Sequence, residues 1–322
     1  MFVICRLQIA CGTSLMQVIH GTDNLPHLKW PVATLGTFDG IHLGHRKILN
    51  EITSWAHGKG GQAVVLTFST HPRTITTGVA SEFITSLNHR LLLMERLGVD
   101  IAIVLDFDRK LAEMPAEEFV AKYFCTLIKA RGIVVGFDNR FGKDGTGNAA
   151  LLRKMGAENG FEVREISPVQ VDGETVSSTA IRNAICEGRL ARAAAMLGRP
   201  VSLLGTVVGG EGRGRQLGFP TANLDLHHEA RPPAGLYAGY ASVGARTYKA
   251  LVSIGSQPTF HAPDAPVVVE VHLHDYSGNL YGRDLEVVFV KKLRDQREFG
   301  SAEELIAAMR EDIKRLAEID TG

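Results

Sequence analysis

The sequence predicts two domains in series, a parallel α/β domain followed by an antiparallel β domain that ends in one helix. Three observations carry that expectation. The chain has 322 residues, more than a single hydrophobic core usually supports. Up to about residue 170, short apolar or β-branched runs alternate with longer helical stretches. After Pro200 the runs follow one another closely, with Gly, Pro, Asn and Asp between them. The first rhythm is that of strands joined by crossover helices, the second that of strands joined by turns.

The opening fifteen residues, MFVICRLQIACGTSL, are apolar but interrupted by Arg6 and Gln8. Met16 then begins a segment that reads as an ordinary start, so residues 1–15 are expected to be an extension. Ala10 before Cys11 suggests a secretory or lipoprotein signal only weakly. VATLG, QAVVLTF, IAIVLDF, GIVVGF and FEVREI are five buried strands of a parallel sheet. Ligands of such sheets sit beyond the carboxyl ends of the strands, which points to GTFDGIHLGH, STHPR and DNRFG. Residues 179–197 read as helical with a break at Gly188, and Gly198, Arg199 and Pro200 stop the pattern, placing a domain boundary near Pro200. LLGTVVG, LYAGYASV, YKALVSIG, VVVEVHLH and LEVVFVKKL then form an antiparallel barrel or sandwich. SAEELIAAMREDIKRLAEI closes the chain as an amphipathic helix opened by Ser301, with acids early and bases late.

Lys plus Arg equals Asp plus Glu at 35 each. No global field draws the molecule to nucleic acid or an anionic membrane, so an anion must be held by a local site. No nucleic-acid, membrane or obligate protein partner is expected. Cys5, Cys11, Cys125 and Cys186 form no CxxC pair, which fits neither a disulfide framework nor a zinc module and suits a reducing cytoplasm. No run reaches the roughly 20 apolar residues that span a bilayer.

Gly36 to His45, GTFDGIHLGH, follows the first of these strands and opens the first helix, where backbone N–H groups and the helix dipole receive phosphate. His42 and His45 are three apart and stack on one helical face, with Gly44 leaving room between them. Two ring donors aimed at one α-phosphate suit a step in which charge grows there. If the nucleophile is itself a phosphate it is already anionic, and no general base is needed. The competing readings are surface histidines at a helix start, or half of a metal site. In VSSTAIR, Ser177, Ser178, Thr179 and Arg182 offer hydroxyls, N-terminal amides and a guanidinium for phosphate, or simply an N-cap. Asp138 and Asn139 in GFDNRFG lie beyond the fourth strand, where they hold a ribose, base or phosphate, or form a structural turn.

Five glycines and two arginines occupy residues 209–218, GGEGRGRQLG. Gly210, Gly212, Arg213, Gly214 and Arg215 would wrap backbone amides around phosphates; a floppy surface loop is the alternative. No GxxxxGK[ST] occurs in the chain, which disfavours P-loop chemistry. Thr221 and Asn223, two residues apart on one side of an extended strand, suit Mg²⁺ held mainly by substrate phosphates and water. Glu270, inside the apolar run VVVEV, is the candidate base for phosphoryl transfer to an alcohol. The alternative is an outward-facing strand glutamate. His272 and His274 share its face by alternation and read as surface residues.

At these residues the sequence resembles the bacterial bifunctional riboflavin kinase and FMN adenylyltransferase family. The resemblance runs from Met16 to the C-terminal helix through GTFDGIHLGH, VSSTAIR, GRPVSLLGTVVGGEGRGRQLGFPTANL, PTF at 258–260, VEVHLHDYSGNLYG and LRDQREF, in family order. It implies a Rossmann-like nucleotidyltransferase domain over residues 16–183, a helical linker over 184–199 and a β-barrel kinase domain over 200–322. It further implies riboflavin plus ATP giving FMN and ADP in the barrel, then FMN plus ATP giving FAD and pyrophosphate in the α/β domain, with Mg²⁺ at both steps. By motif position His42 and His45, with Gly36, Phe38 and Asp39, would bind the ATP phosphates. Ser177, Ser178, Thr179 and the catalytic Arg182 would form a mobile phosphate loop, and Asp138 and Asn139 would lie in the adenylyl site. Thr221 and Asn223 would bind kinase Mg·ATP with the glycine-rich segment, Glu270 would be the base, and Arg294 and Phe299 would lie near the flavin. The sequence departs from the family pattern at TFSTHPR, which lacks an acidic residue before the histidine, at Asn139 and His274, and at Gln257 before PTF. Three other readings compete: a member with one silent domain, a noncatalytic flavin-binding lipoprotein, and an aminoacyl-tRNA synthetase-like enzyme. The last predicts a basic RNA surface that this neutral chain lacks.

Overall fold

A computed structural model of the chain describes residues 15–23, 25–70, 82–210, 214, 217–227, 229–244, 246–256, 267–297 and 299–319. These separate into two compact units. The described residues up to Glu82, with Leu87–Ser178, form the first, and Phe83–Ser86 with the described residues from Thr179 onward form the second.

The first unit is a six-stranded, wholly parallel sheet in the order β1-β4-β3-β2-β5-β6. Its strands are β1 Gln17–His20, β2 Val32–Leu35, β3 Ala63–Phe68, β4 Ile101–Leu105, β5 Gly132–Gly136 and β6 Glu162–Ile166. The last five are the expected ones, except that β6, expected to be buried, is an edge strand with no buried residue. β1 is an addition, a four-residue edge strand with only Ile19 buried, too short to announce itself by pattern. Helices α1 Leu43–Gly58 and α2 Leu87–Arg96 pack Leu49, Ile52, Trp55 and Met94 against Val65, Ala102, Val104 and Val134 on one face. On the other face, Phe119, Phe124, Leu152 and Phe161 meet Ala33, Val64, Leu66, Ile103 and Ile133. Phe119 and Phe124 come from α4 Ala116–Phe119 and its π-helical continuation Val120–Ile128, Leu152 from α5 Ala149–Asn159, and Phe161 precedes β6; α3 Arg109–Ala112 adds Leu111 to the same cluster. Helices on both sides leave β2, β3 and β4 buried at every position, which is why they read as continuous apolar runs. A small hairpin, β7 Gln170–Val171 and β8 Glu174–Thr175, turns at Asp172-Gly173, both at positive φ as a type I′ turn requires.

In the second unit α6 Ser178–Cys186, which enters it at Thr179, and α7 Leu190–Leu197 precede a closed antiparallel barrel in the order β10-β13-β12-β11-β14-β9. Its strands are β9 Ser202–Val208, β10 Ala222–Asp225, β11 Gly235–Val243, β12 Arg246–Ser256, β13 Val267–Leu273 and β14 Asp284–Arg294. The barrel reading therefore prevails over the sandwich, because β10 pairs with β9 on one side and β13 on the other and leaves no free edge. The closing helix, α8 Ala302–Ala317, has the expected cap, the Ser301 side chain accepting from the Glu304 N–H. Leu316 packs on Leu236, Ala238 and Leu251 of the barrel wall.

The second unit begins after Ser178, so α6 and α7 belong with the barrel. The domain boundary was expected further on, near Pro200. Phe83–Ser86 also belongs with the barrel. The fully buried Glu229 accepts from the backbone N–H groups of Ser86 at 2.7 Å and Leu204 at 3.0 Å, and Ala230 N–H donates to Phe83 O at 2.6 Å. Ser86 and Glu229 lie 143 residues apart.

Candidate functional site

The strand order of the first unit reverses between β2 and β5, so a crevice opens beyond their carboxyl ends. The segment after β2 carries the two histidines, and the segment after β5 carries Asp138 and Asn139. Asn139 fastens the two, its Nδ2 donating to Leu35 O at 2.9 Å. Asp138 is exposed. The turn after β2 is unusual: Phe38, Gly40 and Ile41 all have positive φ, at 53°, 83° and 39°. Such non-glycine conformations persist only where the surroundings enforce them, and here Phe38 and Ile41 are locked in the core, 2 % and 1 % exposed.

His42 is the N-cap of α1, in extended conformation, and not a residue of the helical face as the spacing suggested. Its Nδ1 accepts from the His45 N–H at 3.4 Å, so the ring proton sits on Nε2. The two imidazoles still stack, at 3.6 Å with 19° between planes, and Phe38 braces His45 edge-on at 5.2 Å. A Cβ at Gly44 would come within 3.2 Å of the His42 ring, so glycine admits the stack. Burial lowers the His42 pKa from the ordinary value near 6.5 to about 4, and drives His45 well below its ordinary value with help from His42 and Arg90. Both rings are neutral donors at pH 7. His45 Nδ1 is buried with no hydrogen-bond partner.

Ser178 Oγ donates to Asp39 O at 2.9 Å, bringing VSSTAIR to the same turn within the first unit. Ser177 is exposed, and Asp39 is 3 % exposed. Thr179 and Arg182 belong to α6 and are counted with the second unit. Sequence reasoning missed Arg90. Fully buried in α2, it donates from Nη1 to Thr37 O in the turn and from Nη2 to Phe68 O at 3.2 Å at the end of β3. The available signal was periodicity: Arg90 is three after Leu87, which packs against the core, and four before Met94, which lies in it, so a charge occupies the apolar stripe of the helix.

In the barrel, Asn223 stands directly opposite Glu270, with Val208 and Ser253 completing a cross-strand row. Residues so paired share a face with Cβ atoms about 5 Å apart. Val269 and Val271 are 2 % and 1 % exposed, so Glu270 projects from the outer wall, half-buried beside Asn223. Thr221 precedes β10 and is also half-buried. Two glycines between β9 and β10 approach this seam closely: a Cβ at Gly210 would overlap the Asn223 amide, and one at Gly214 would overlap Phe219 O and approach Thr221 Oγ1 to 3.1 Å. Gly212, Arg213 and Arg215 lie outside the described residues, as do STHPR from His71 onward and PTF at 258–260. His272 is not the surface residue that alternation suggested. It is 9 % exposed, with Nδ1 2.9 Å from Pro220 O and its ring against Phe219. His274 remains partly exposed beside Asp275. Arg294 is held by the buried Asp312 of α8, Nη2 to Oδ2 at 2.9 Å, and its guanidinium lies 5.7 Å from the Phe299 ring centre.

Among the described residues no group of three or more His, Cys, Asp or Glu could hold a metal, and no helix is long and apolar enough to cross a membrane. Residues 26–180 match the family model described as FAD synthetase, and residues 197–319 the one described as riboflavin kinase. The bifunctional riboflavin kinase/FMN adenylyltransferase of Pseudomonas fluorescens is 36 % identical over 299 residues, 92 % of this chain and 96 % of that protein. Its counterpart in Escherichia coli K12 is 34 % identical over 301 residues, with the same coverage. A crystal structure from Streptococcus pneumoniae, described as a macrolide-efflux protein, superimposes with a TM-score of 0.78 at 29 % identity and covers 94 % of this chain and 99 % of that one. That description is the pneumococcal protein's own, and the likeness bears here on fold. With both models matched in order and more than nine-tenths of each relative covered, the chain belongs to the bifunctional riboflavin kinase/FMN adenylyltransferase family.

Proposed function

We propose that this chain makes FMN from riboflavin and ATP in its barrel and FAD from FMN and ATP in its α/β unit. The observation that carries the reading is that each family-matched segment has its own constellation: stacked neutral histidines at a sheet switch point, and an amide beside a carboxylate across a barrel seam. Residues 16–183 are assigned to adenylyl transfer, 184–199 to a linker and 200–322 to the kinase, in keeping with the two matched segments.

For FAD formation, an FMN phosphate oxygen attacks the α-phosphorus of ATP, the bond to the β-phosphate oxygen breaks, and pyrophosphate leaves with the electron pair. The nucleophile is anionic already, so the protein's task is alignment and charge stabilisation. His42 donates from Nε2–H, and His45 packs behind it. An arriving triphosphate favours the protonated rings and raises both pKa values. Gly36, Phe38 and Asp39 shape the phosphate turn, Ser177, Ser178, Thr179 and Arg182 hold phosphate oxygens, and Asp138 and Asn139 border the adenylyl site.

For FMN formation, Glu270 takes the proton of the riboflavin 5′-hydroxyl as that oxygen bonds to the γ-phosphorus and ADP departs. Thr221 and Asn223 present neutral oxygens beside a single carboxylate, a donor set that fits Mg²⁺ carried mainly by phosphates and water. When bound, that ion would neutralise charge on the ATP phosphates. Gly210, Gly212, Arg213, Gly214 and Arg215 cover the nucleotide, and Arg294 and Phe299 are assigned to the flavin side. A cytoplasmic setting, with ATP and flavins as partners, completes the proposal; the free thiol of Cys125 supports it.

The test is a time course with riboflavin, ATP and Mg²⁺, resolved by chromatography. FMN followed by FAD is expected. FMN alone would remove the adenylyl reading in favour of a member with one silent domain, and no FMN would remove the kinase reading.

A further inference from the structure

We infer that His272 is a positioning residue of the kinase site: its imidazole clamps Pro220 and thereby sets where Thr221 and Asn223 present their oxygens to Mg·ATP. The inference rests on the assignment of phosphoryl transfer to the Thr221, Asn223 and Glu270 seam.

The β10–β13 ladder runs from Leu224↔Val269 through Asn223↔Glu270 to Ala222↔Val271, and stops there. The next pair in that register would be Thr221 with His272, so the imidazole stands where backbone pairing has just ended. A carbonyl has no proton to give, so in the 2.9 Å contact with Pro220 O the His272 Nδ1 is the donor. The side chain continues the ladder by one bond after the backbone has left it. Its ring also meets Phe219 edge-on at 6.2 Å, and the Phe219 N–H donates to Gly214 O at 2.8 Å. One buried ring therefore holds both residues that end the glycine-rich connection, immediately before Thr221. It stands two residues from Glu270 on the same strand face. A histidine of purely structural use has no need of this placement between the nucleotide-covering segment and the base.

The experiment compares His272→Leu and His272→Asn in the full chain. Asn keeps an N–H donor in a branched shape that Leu copies without one. In riboflavin phosphorylation, the Leu variant is expected to raise KM for Mg·ATP about tenfold, the effect of one lost hydrogen bond, while Asn stays within about twofold of the parent. Both should recover near-parental kcat at saturating Mg·ATP, and FMN adenylylation should be unchanged in both. A parental KM in the Leu variant would overturn the inference, as would an Asn variant as impaired as Leu. If the Leu variant fails to unfold cooperatively, Asn decides: parental KM upholds the clamp and a raised KM removes it. Glu270→Gln, run in parallel, separates the two ideas. Undiminished FMN formation there would sink the site assignment itself, whereas its loss together with a parental His272→Leu would sink only the clamp.

Discussion

Burial sets the protonation state of the stacked imidazoles, and that state has a measurable consequence. His42 titrates near 4 in the folded chain against about 6.5 when unfolded, so between those values the unfolded chain binds more protons. Stability is therefore complete above pH about 6.5 and is lost as pH falls toward 4, on the order of 3 kcal/mol for this group alone. Thermal unfolding of the ligand-free protein across that window should show the loss, and His42→Asn should make it shallower while the part contributed by the buried His45 remains. An equally steep fall in the variant would mean that other groups govern acid sensitivity. Arg90 makes a second case at this scale. Arg90→Met removes the guanidinium donor from the Phe68 carbonyl and leaves the Thr37 carbonyl only the 3.4 Å bond from Thr67 Oγ1, at about 1–3 kcal/mol in all. The expected result is a lower melting temperature and slower FAD formation from supplied FMN, with riboflavin phosphorylation unaffected; unchanged adenylylation would show that the turn holds its shape without Arg90.

Two elements of the barrel unit act through close approach. Gly210, just after β9, lies against Asn223, so Gly210→Ala places a methyl group on that amide. The predicted outcome is a large loss of FMN formation at unchanged FAD formation from supplied FMN, and a fully active variant would show that the connection closes elsewhere when substrate binds. Helix α8 is strapped by Arg294 and Asp312, the latter 3 % exposed. Asp312→Ala abandons a largely buried guanidinium and should cost about 3–5 kcal/mol in the unfolding of the barrel unit. A loss below about 1 kcal/mol would mean that the pair behaves as an exposed one. Arg294 was named only through the family resemblance, and its partner Asp312, 18 residues on, lies outside the motif that carried it.

For the whole molecule, two constellations in two units imply separable chemistry. Glu270→Gln should abolish FMN formation and leave adenylylation of supplied FMN nearly intact, and His42→Ala should stall the same chain at FMN. Loss of both activities in either variant would contradict separate sites. Much of this organisation was legible in the sequence because it is local. Continuous apolar runs in β2 to β5 report burial on both faces, alternation in β11 to β14 reports a wall with one dry side, and Ser301 reports a helix start. The sites were legible as residue types at short spacing: two histidines about a glycine, and a threonine and asparagine after a glycine-rich run. Tertiary structure alone decided the rest. It made the β domain a barrel by pairing β10 on both sides, turned His42 into a cap, buried His272 on Pro220, set Arg90 behind the turn after β2, and joined Ser86 to Glu229 across 143 residues. The physical reason is one of range: periodicity and capping are settled within a few residues of chain, whereas a buried polar side chain takes whichever backbone group the completed fold brings within about 3 Å of it.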